Sequence, residues 1–286
     1  MLPTLADGGS KNLPAETRGS PEGIRQFALT VTMASPAEVL LLSAAAVLAG
    51  AMNAIAGGGT ILTFPALLAF GMPAVQANAT STVALLVGAI GSAYGYREHL
   101  PAASLWIRRF GLVSIAGGFL GALLLTRTPA DTFERLVPFL LLFATALFMT
   151  QSVFSRFAQV EAAAHSRHRL TSITLQFLVA LYGGYFGAGI GILMLAVFGL
   201  MGLQDIHEMN TLKTVLSALI NLVASIYFAF SGLVDWPRAC VMIAASVLGY
   251  FAGARLTQRI SRERVRQLVT AIGLGISLVM FWKEFS

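Results

Sequence analysis

The chain has 286 residues, is 56% hydrophobic and only 11% charged, and carries a formal net charge of +6. A soluble domain of this size would hold about a quarter charged residues, so long apolar runs with few charges place the chain in a bilayer. The positive charge sits in arginine-bearing loops without interleaved aromatics, which argues against nucleic acid, and the single cysteine, Cys240, excludes an intrachain disulfide or a cysteine-based metal site.

In chain order, residues 1–35 are polar and rich in Gly, Pro and Ser, and they predict a disordered tail. They hold no apolar stretch long enough for a signal peptide, and Met33, just before the first apolar segment, is a candidate start. Ser35-Pro36-Ala37-Glu38 has the form of a capping box. The segment from there to Ala56 spans roughly 30 Å as a helix, enough to cross a membrane. Thr60 to Gly71 gives only roughly 18 Å, too short to cross alone. Apolar segments follow near 75–96, 104–126 and 132–154, the last opened by Thr128-Pro129-Ala130-Asp131. Residues 155–169 are polar and basic and form a linker. The order then repeats near 170–186, 191–202, 206–230, 237–256 and 265–282, with Asp235-Trp236-Pro237 as a further helix start. The expected organisation is a tail (1–35), a first transmembrane repeat (36–154), a cytoplasmic linker (155–169) and a second transmembrane repeat (170–286).

The repeats align residue by residue: Gly58 with Gly189, Asn78 with Asn210, Thr82 with Thr214, Gly117 with Gly249 and Gly121 with Gly253. The GxxxG spacing of the last two pairs suits close helix packing. If all ten segments cross, the halves are inverted, and loops 97–109, 155–169 and 255–266 share one side with eleven arginines. Three others (Arg127, Arg135 and Arg238) lie opposite. If the short segments are re-entrant, the same arginines split evenly. The positive-inside rule favours an all-α polytopic membrane protein with inverted, glycine-broken repeats and arginine-rich cytoplasmic loops.

Two breaks organise the chemistry. Gly57-Gly58-Gly59-Thr60 interrupts the first apolar run, and Gly187-Ala188-Gly189-Ile190-Gly191 interrupts the second. Broken segments at corresponding places in two halves mark a transporter's binding site, since freed backbone groups must find protein partners or a wet cavity. The glycines also read as small residues that let helices pack. Asn78, Ser81 and Thr82 share one helix face at i, i+3 and i+4. Asn210, Lys213 and Thr214 repeat it with lysine in place of serine, and Thr80 and Thr211 stand beside them. Such faces either glue helices together or, with helix N-termini at the breaks, bind a small oxyanion. Lys213 is a cation inside a span, a functional mark, although it also lies near enough to the 203–206 loop to snorkel. Asp205, His207 and Glu208 read as a solvated helix start or as a proton relay. His99, His165 and His168 lack ligand spacing, and Trp106, Trp236 and Trp282 read as interfacial anchors.

The stretch AMNAIAGGGTILTFPALLAFGMPAVQANATST, together with LYGGYFGAGIGILMLAVFGL, NTLKT and SGLVDWP, resembles the two repeat signatures of the sulfite exporter TauE/SafE family over roughly residues 36–283. The resemblance implies a bacterial inner-membrane protein that moves sulfite, organosulfonates or related sulfur-containing anions, often by export. It points to Gly57, Gly58, Gly59, Asn78, Thr80, Ser81, Gly187, Gly189, Gly191, Asn210 and Lys213. Asn53 stands where an acidic residue is common in the family, and Ile190 interrupts the second glycine cluster. The expectation is therefore a secondary anion transporter whose two halves rock around a site between the breaks. A passive channel or a non-transporting scaffold is the alternative. The expected partners are the anion, the lipid bilayer and a coupling proton or sodium ion, with an oligomer open. No enzyme activity, cofactor, metal or nucleic acid is expected, since neither HExxH nor GxSxG occurs.

Overall fold

The computed structural model describes residues 35–55, 58–161, 169–203, 205–256 and 262–285. Residues 1–34 of the tail, Gly57, and residues 162–168 of the linker with His165 and His168 lie outside them. Among the described residues there are ten α-helices and no strand: α1 (Pro36–Ile55), α2 (Thr60–Ala69), α3 (Ala74–Gly95), α4 (Leu100–Arg127), α5 (Ala130–Glu161), α6 (Arg169–Tyr185), α7 (Ile190–Leu200), α8 (Ile206–Phe230), α9 (Trp236–Leu256) and α10 (Arg262–Phe285). Each apolar segment read from the sequence is one helix. Among the described residues, five stretches are long and apolar enough to cross a membrane, namely Pro36–Ala54, Ala74–Gly95, Ala103–Arg127, Ala130–Thr150 and His207–Phe230. Large apolar side chains such as Leu40, Leu112 and Leu248 are exposed along the helices, where lipid replaces water as their solvent.

The helix starts follow from local chemistry. Asp205 caps α8 by accepting from the His207 N–H at 2.8 Å, which supports the helix-start reading of the Asp205–Glu208 cluster. Asp235 caps α9 by accepting from the Arg238 N–H at 3.1 Å. Glu38, read as half of a capping box, is also drawn into the tertiary structure. The Arg238 Nε donates to its carboxylate at 2.6 Å, and Arg238 reaches Asp235 at the same distance. At the other junction the Thr128 hydroxyl donates back to the Leu124 carbonyl at 2.8 Å, closing α4.

Helices from the two halves interleave. α1 packs on α9 and α4 packs on α6 more extensively than any other pairs, and glycine makes both interfaces possible. A Cβ at Gly249 would fall on the Val47 carbonyl oxygen, and one at Gly253 on the backbone of Ala51. On the other side, a Cβ at Gly121 would fall on the Leu181 carbonyl oxygen, and one at Gly184 on that of Gly118. The GxxxG pairs thus serve close packing. Because Val47 and Ala51 meet Gly249 and Gly253 in turn, α1 and α9 run in the same sense. α3 shares it, since Thr80, Ala84 and Gly88 meet Asp235, Ser246 and Tyr250 in order. By the same test α4, α6 and α8 run together: Gly117 and Gly121 follow Ala180 and Leu181, while Gly118 and Thr126 follow Ile220 and Tyr227. α3 opposes α8, with His99 stacked on His207 at one end and Asp235 against Thr80 at the other.

Candidate functional site

The two breaks use matching backbone geometry with opposite side-chain partners. Gly58 (φ 91°) and Gly189 (φ 76°), equivalent in the repeat, both take left-handed conformations that glycine alone adopts at low cost. A Cβ at Gly58 would also enter the Phe148 ring. In the first break the side-chain oxygen of Asn53 accepts from the Gly59 N–H at 2.6 Å. In the second the Tyr182 hydroxyl donates to the Ala188 carbonyl at 2.7 Å. One break therefore satisfies a freed donor and the other a freed acceptor, as a low-dielectric interior demands.

Between the breaks lies a cavity of about 70 Å³. This is room for several waters or one compact ion. The first break contributes Gly58 and Thr60, and the second Gly187, Ile190 and Gly191. α3 adds Thr82, Leu85, Ala89 and Ser92. α8 adds Lys213, Thr214, Ser217 and Asn221, while α1 supplies Asn53 and α9 supplies Tyr250. Thr60 is the first residue of α2, and Ile190 and Gly191 open α7, so two helix N-termini begin at the cavity wall. Their positive dipole ends suit an anion. The Lys213 stem lies against Gly191, within 3.2 Å of where a Cβ there would stand, and its ammonium donates to Asn210 Oδ1 at 3.2 Å. Among the described residues the cavity lining carries no carboxylate.

The sequence-derived site residues divide sharply. Gly58, Thr60, Thr82, Gly187, Gly191, Lys213 and Thr214 are brought together at the cavity. Gly59 and Gly189 shape the breaks without lining it. Asn210 adjoins the site through Lys213. The hydroxyl of buried Thr211 donates to the His207 carbonyl at 2.8 Å. Thr80 accepts from the Asp235 N–H at 3.1 Å, and Ser81 shares a 2.6 Å hydrogen bond with Thr63. Asn78 donates from Nδ2 to the Tyr185 carbonyl at 3.0 Å, while its Oδ1 is buried with no hydrogen-bond partner among the described residues. Such an acceptor costs about 1–3 kcal/mol.

Sequence reasoning missed Asn53, Ser92, Ser217, Asn221 and Tyr250. For two of them the signal was present: Ser217 and Asn221 continue the α8 stripe of Lys213 at i+4 and i+8. Tyr250 had none, because its place depends on α9 crossing to α3, where the ring covers Gly88.

Interleaved apolar helices and a partly open cavity of mixed polarity between two broken segments fit an α-helical membrane transporter. The family model for "Sulfite exporter TauE/SafE" matches residues 42–280. The chain belongs to that family. It is similar to a "Probable membrane transporter protein ORF9" from a Sinorhizobium species, with 28% identity over 83% of this chain and 90% of the relative. A "Probable membrane transporter protein" from Haemophilus influenzae is 28% identical over 82% and 90% of the two chains. The Escherichia coli K12 "Probable membrane transporter protein YfcA" is 27% identical over 87% and 90%. No solved structure matches the chain.

Proposed function

We propose that this protein is a secondary transporter of small sulfur-containing anions, sulfite or a short organosulfonate, acting as an exporter in the bacterial inner membrane by alternating access around the cavity between the breaks. The observation that carries the reading is the convergence of two helix N-termini and the Lys213 side chain on one cavity whose described lining has no carboxylate. Positive potential from all three favours an anion, and the small volume favours a compact one such as sulfite. The opposed senses of α3 and α8, equivalent helices in the repeat, support the inverted arrangement, with the arginine-rich loops cytoplasmic. A proton or sodium ion would supply the driving gradient.

The test is sulfite binding and flux in proteoliposomes for wild type, Lys213→Met and Lys213→Arg, each normalised to inserted protein. Lys213→Met keeps the stem against Gly191 and removes the charge. Losing a hydrogen bond to a charged ligand should weaken sulfite binding by roughly 10- to 150-fold. Lys213→Arg should keep part of the function, since charge survives in a wider planar group. Wild-type affinity in Lys213→Met would sink the assignment of this site, and flux that never concentrates sulfite against its gradient would point to a channel.

A further inference from the structure

The repeats are the natural first choice for the two moving parts of such a transporter, yet the packing divides the molecule differently. The two most extensive helix interfaces, α1 with α9 and α4 with α6, each join one half of the sequence to the other. Both are sealed by backbone-to-backbone contacts at glycine, so neither can slide without tearing the closest packing in the molecule. Polar bonds reinforce these seams and tie further helices to them. Arg238 of α9 holds Glu38 of α1, and the Ser246 hydroxyl of α9 donates to the Ala84 carbonyl of α3 at 2.7 Å. In the other group Gln176 of α6 donates to Ser114 of α4 at 2.9 Å, and Thr126 of α4 meets Tyr227 of α8 at 3.2 Å.

Resting on the transport reading above, we propose that the bodies which move are two helix-exchanged bundles rather than the two repeats. One is α1, α2 and α3 with α9. The other is α6, α7 and α8 with α4. α5 and α10 pair with each other, Thr145 against Gly273 and Phe139 against Phe281, and α5 also packs on α7 and reaches both breaks, with Phe148 at Gly58 and Ala144 at Gly189.

Two observations place the moving interface between these bundles. The cavity lies there: Asn53, Thr82 and Tyr250 come from the first bundle, and Gly187, Lys213 and Ser217 from the second. The seam also contains the half-satisfied amide of Asn78. This side chain reaches across from α3 to the Tyr185 carbonyl at the end of α6, with its own oxygen buried and unpartnered. Near it the bundles meet through rings, Phe64 against Phe186 at 5.4 Å, rather than through glycine. The α1–α9 and α4–α6 seams are interlocked backbones, whereas the contacts across the bundle boundary at Asn78 and Phe64 are made by side chains that a rotation can exchange. Asn78 is thus a positioning residue of the closed seam and not a ligand of the anion.

The test uses lipid-exposed positions, so that labels leave the core intact: Leu40 on α1, Leu248 on α9, Leu112 on α4 and Leu178 on α6. In a Cys240→Ser background, pairs of cysteines would carry nitroxides, and pulsed dipolar spectroscopy in lipid nanodiscs would read distances with and without sulfite. The exchanged-bundle arrangement expects the Leu40–Leu248 and Leu112–Leu178 pairs to keep one narrow distance. It expects the Leu40–Leu112 pair, which lies within one repeat but spans two bundles, to be bimodal or to shift by more than about 2 Å. Movement in Leu40–Leu248 with a fixed Leu40–Leu112 would overturn the proposal in favour of rocking repeats. Fixed distances in all three pairs would overturn it too. A bimodal Leu40–Leu112 distance that ignores sulfite, in a protein that moves no sulfite, would remove the proposed substrate and leave the bundles standing.

Discussion

α3 and α8 occupy equivalent places in the repeat and carry the same polar pattern, Asn-x-x-Ser-Thr in one and Asn-x-x-Lys-Thr in the other. Their environments differ. In α3 the three side chains are buried, at 1%, 0% and 9% exposure for Asn78, Ser81 and Thr82. Each makes a protein hydrogen bond: Asn78 to Tyr185, Ser81 with Thr63, and Thr82 to the Asn78 carbonyl. In α8 the equivalent three are half-buried, and Lys213 and Thr214 line the cavity. In α3, Asn78 and Ser81 are taken up by protein hydrogen bonds and Thr82 alone of the three reaches the cavity, whereas in α8 both Lys213 and Thr214 line it. A repeated motif therefore need not present the same groups to the cavity; burial and hydrogen-bond partners decide which side chains reach it.

The comparison can be broken most forcefully by making α3 imitate α8. Ser81→Lys would place an ammonium where the native side chain has no exposure, facing Thr63 and no carboxylate partner shown for Ser81. A charge at such a depth should cost about 3 kcal/mol or more, read as poor insertion and a large fall in melting temperature in detergent. A Ser81→Lys variant as stable as wild type would mean that α3 also faces water. A smaller effect should come from the α8 stripe beyond Lys213. Asn221→Ala should weaken sulfite binding by about tenfold with little loss of stability, the share of one modest hydrogen bond. Its equivalent in α3 is Ala89, which contributes only apolar surface to the same cavity. The smallest expected effect is that of Ser81→Ala. It should lower stability by about 1 kcal/mol by orphaning part of the Thr63 hydroxyl's bonding, with sulfite affinity unchanged. A loss of affinity in that variant would show that both motifs touch the anion.

Much of this architecture was legible in the chain. Helix positions followed from apolar runs and their punctuation, because Gly58, Gly71, Gly189 and Gly202 stand between those runs and take at low cost the left-handed conformations that end or begin helices there. Lys213 was legible because a cation in an apolar run is costly anywhere. Asn78 and Ser81 are hydrogen-bonded within the protein, and from sequence an amide at the end of a hydrogen bond to Tyr185 looks the same as one facing a ligand. Asn53 and Tyr250 were hidden more deeply. Asn53 gains its role only when the chain folds back to bring Gly59 beside it, and Tyr250 only when α9 docks on α1 and α3.

That docking also sets a timetable for biogenesis. α4 and α6, which pack against each other, are complete within some 60 residues of chain, from Arg127 to Tyr185. About 200 residues separate the end of α1 from the end of α9, so at a synthesis rate of roughly 5–20 residues per second α1 waits about 10–40 s in the membrane for its partner. Until then its carboxylate at Glu38 has no Arg238 to meet, and the Val47–Ala51 face shows its backbone to lipid instead of to Gly249 and Gly253. The bundle that begins at the amino terminus is thus the last to close.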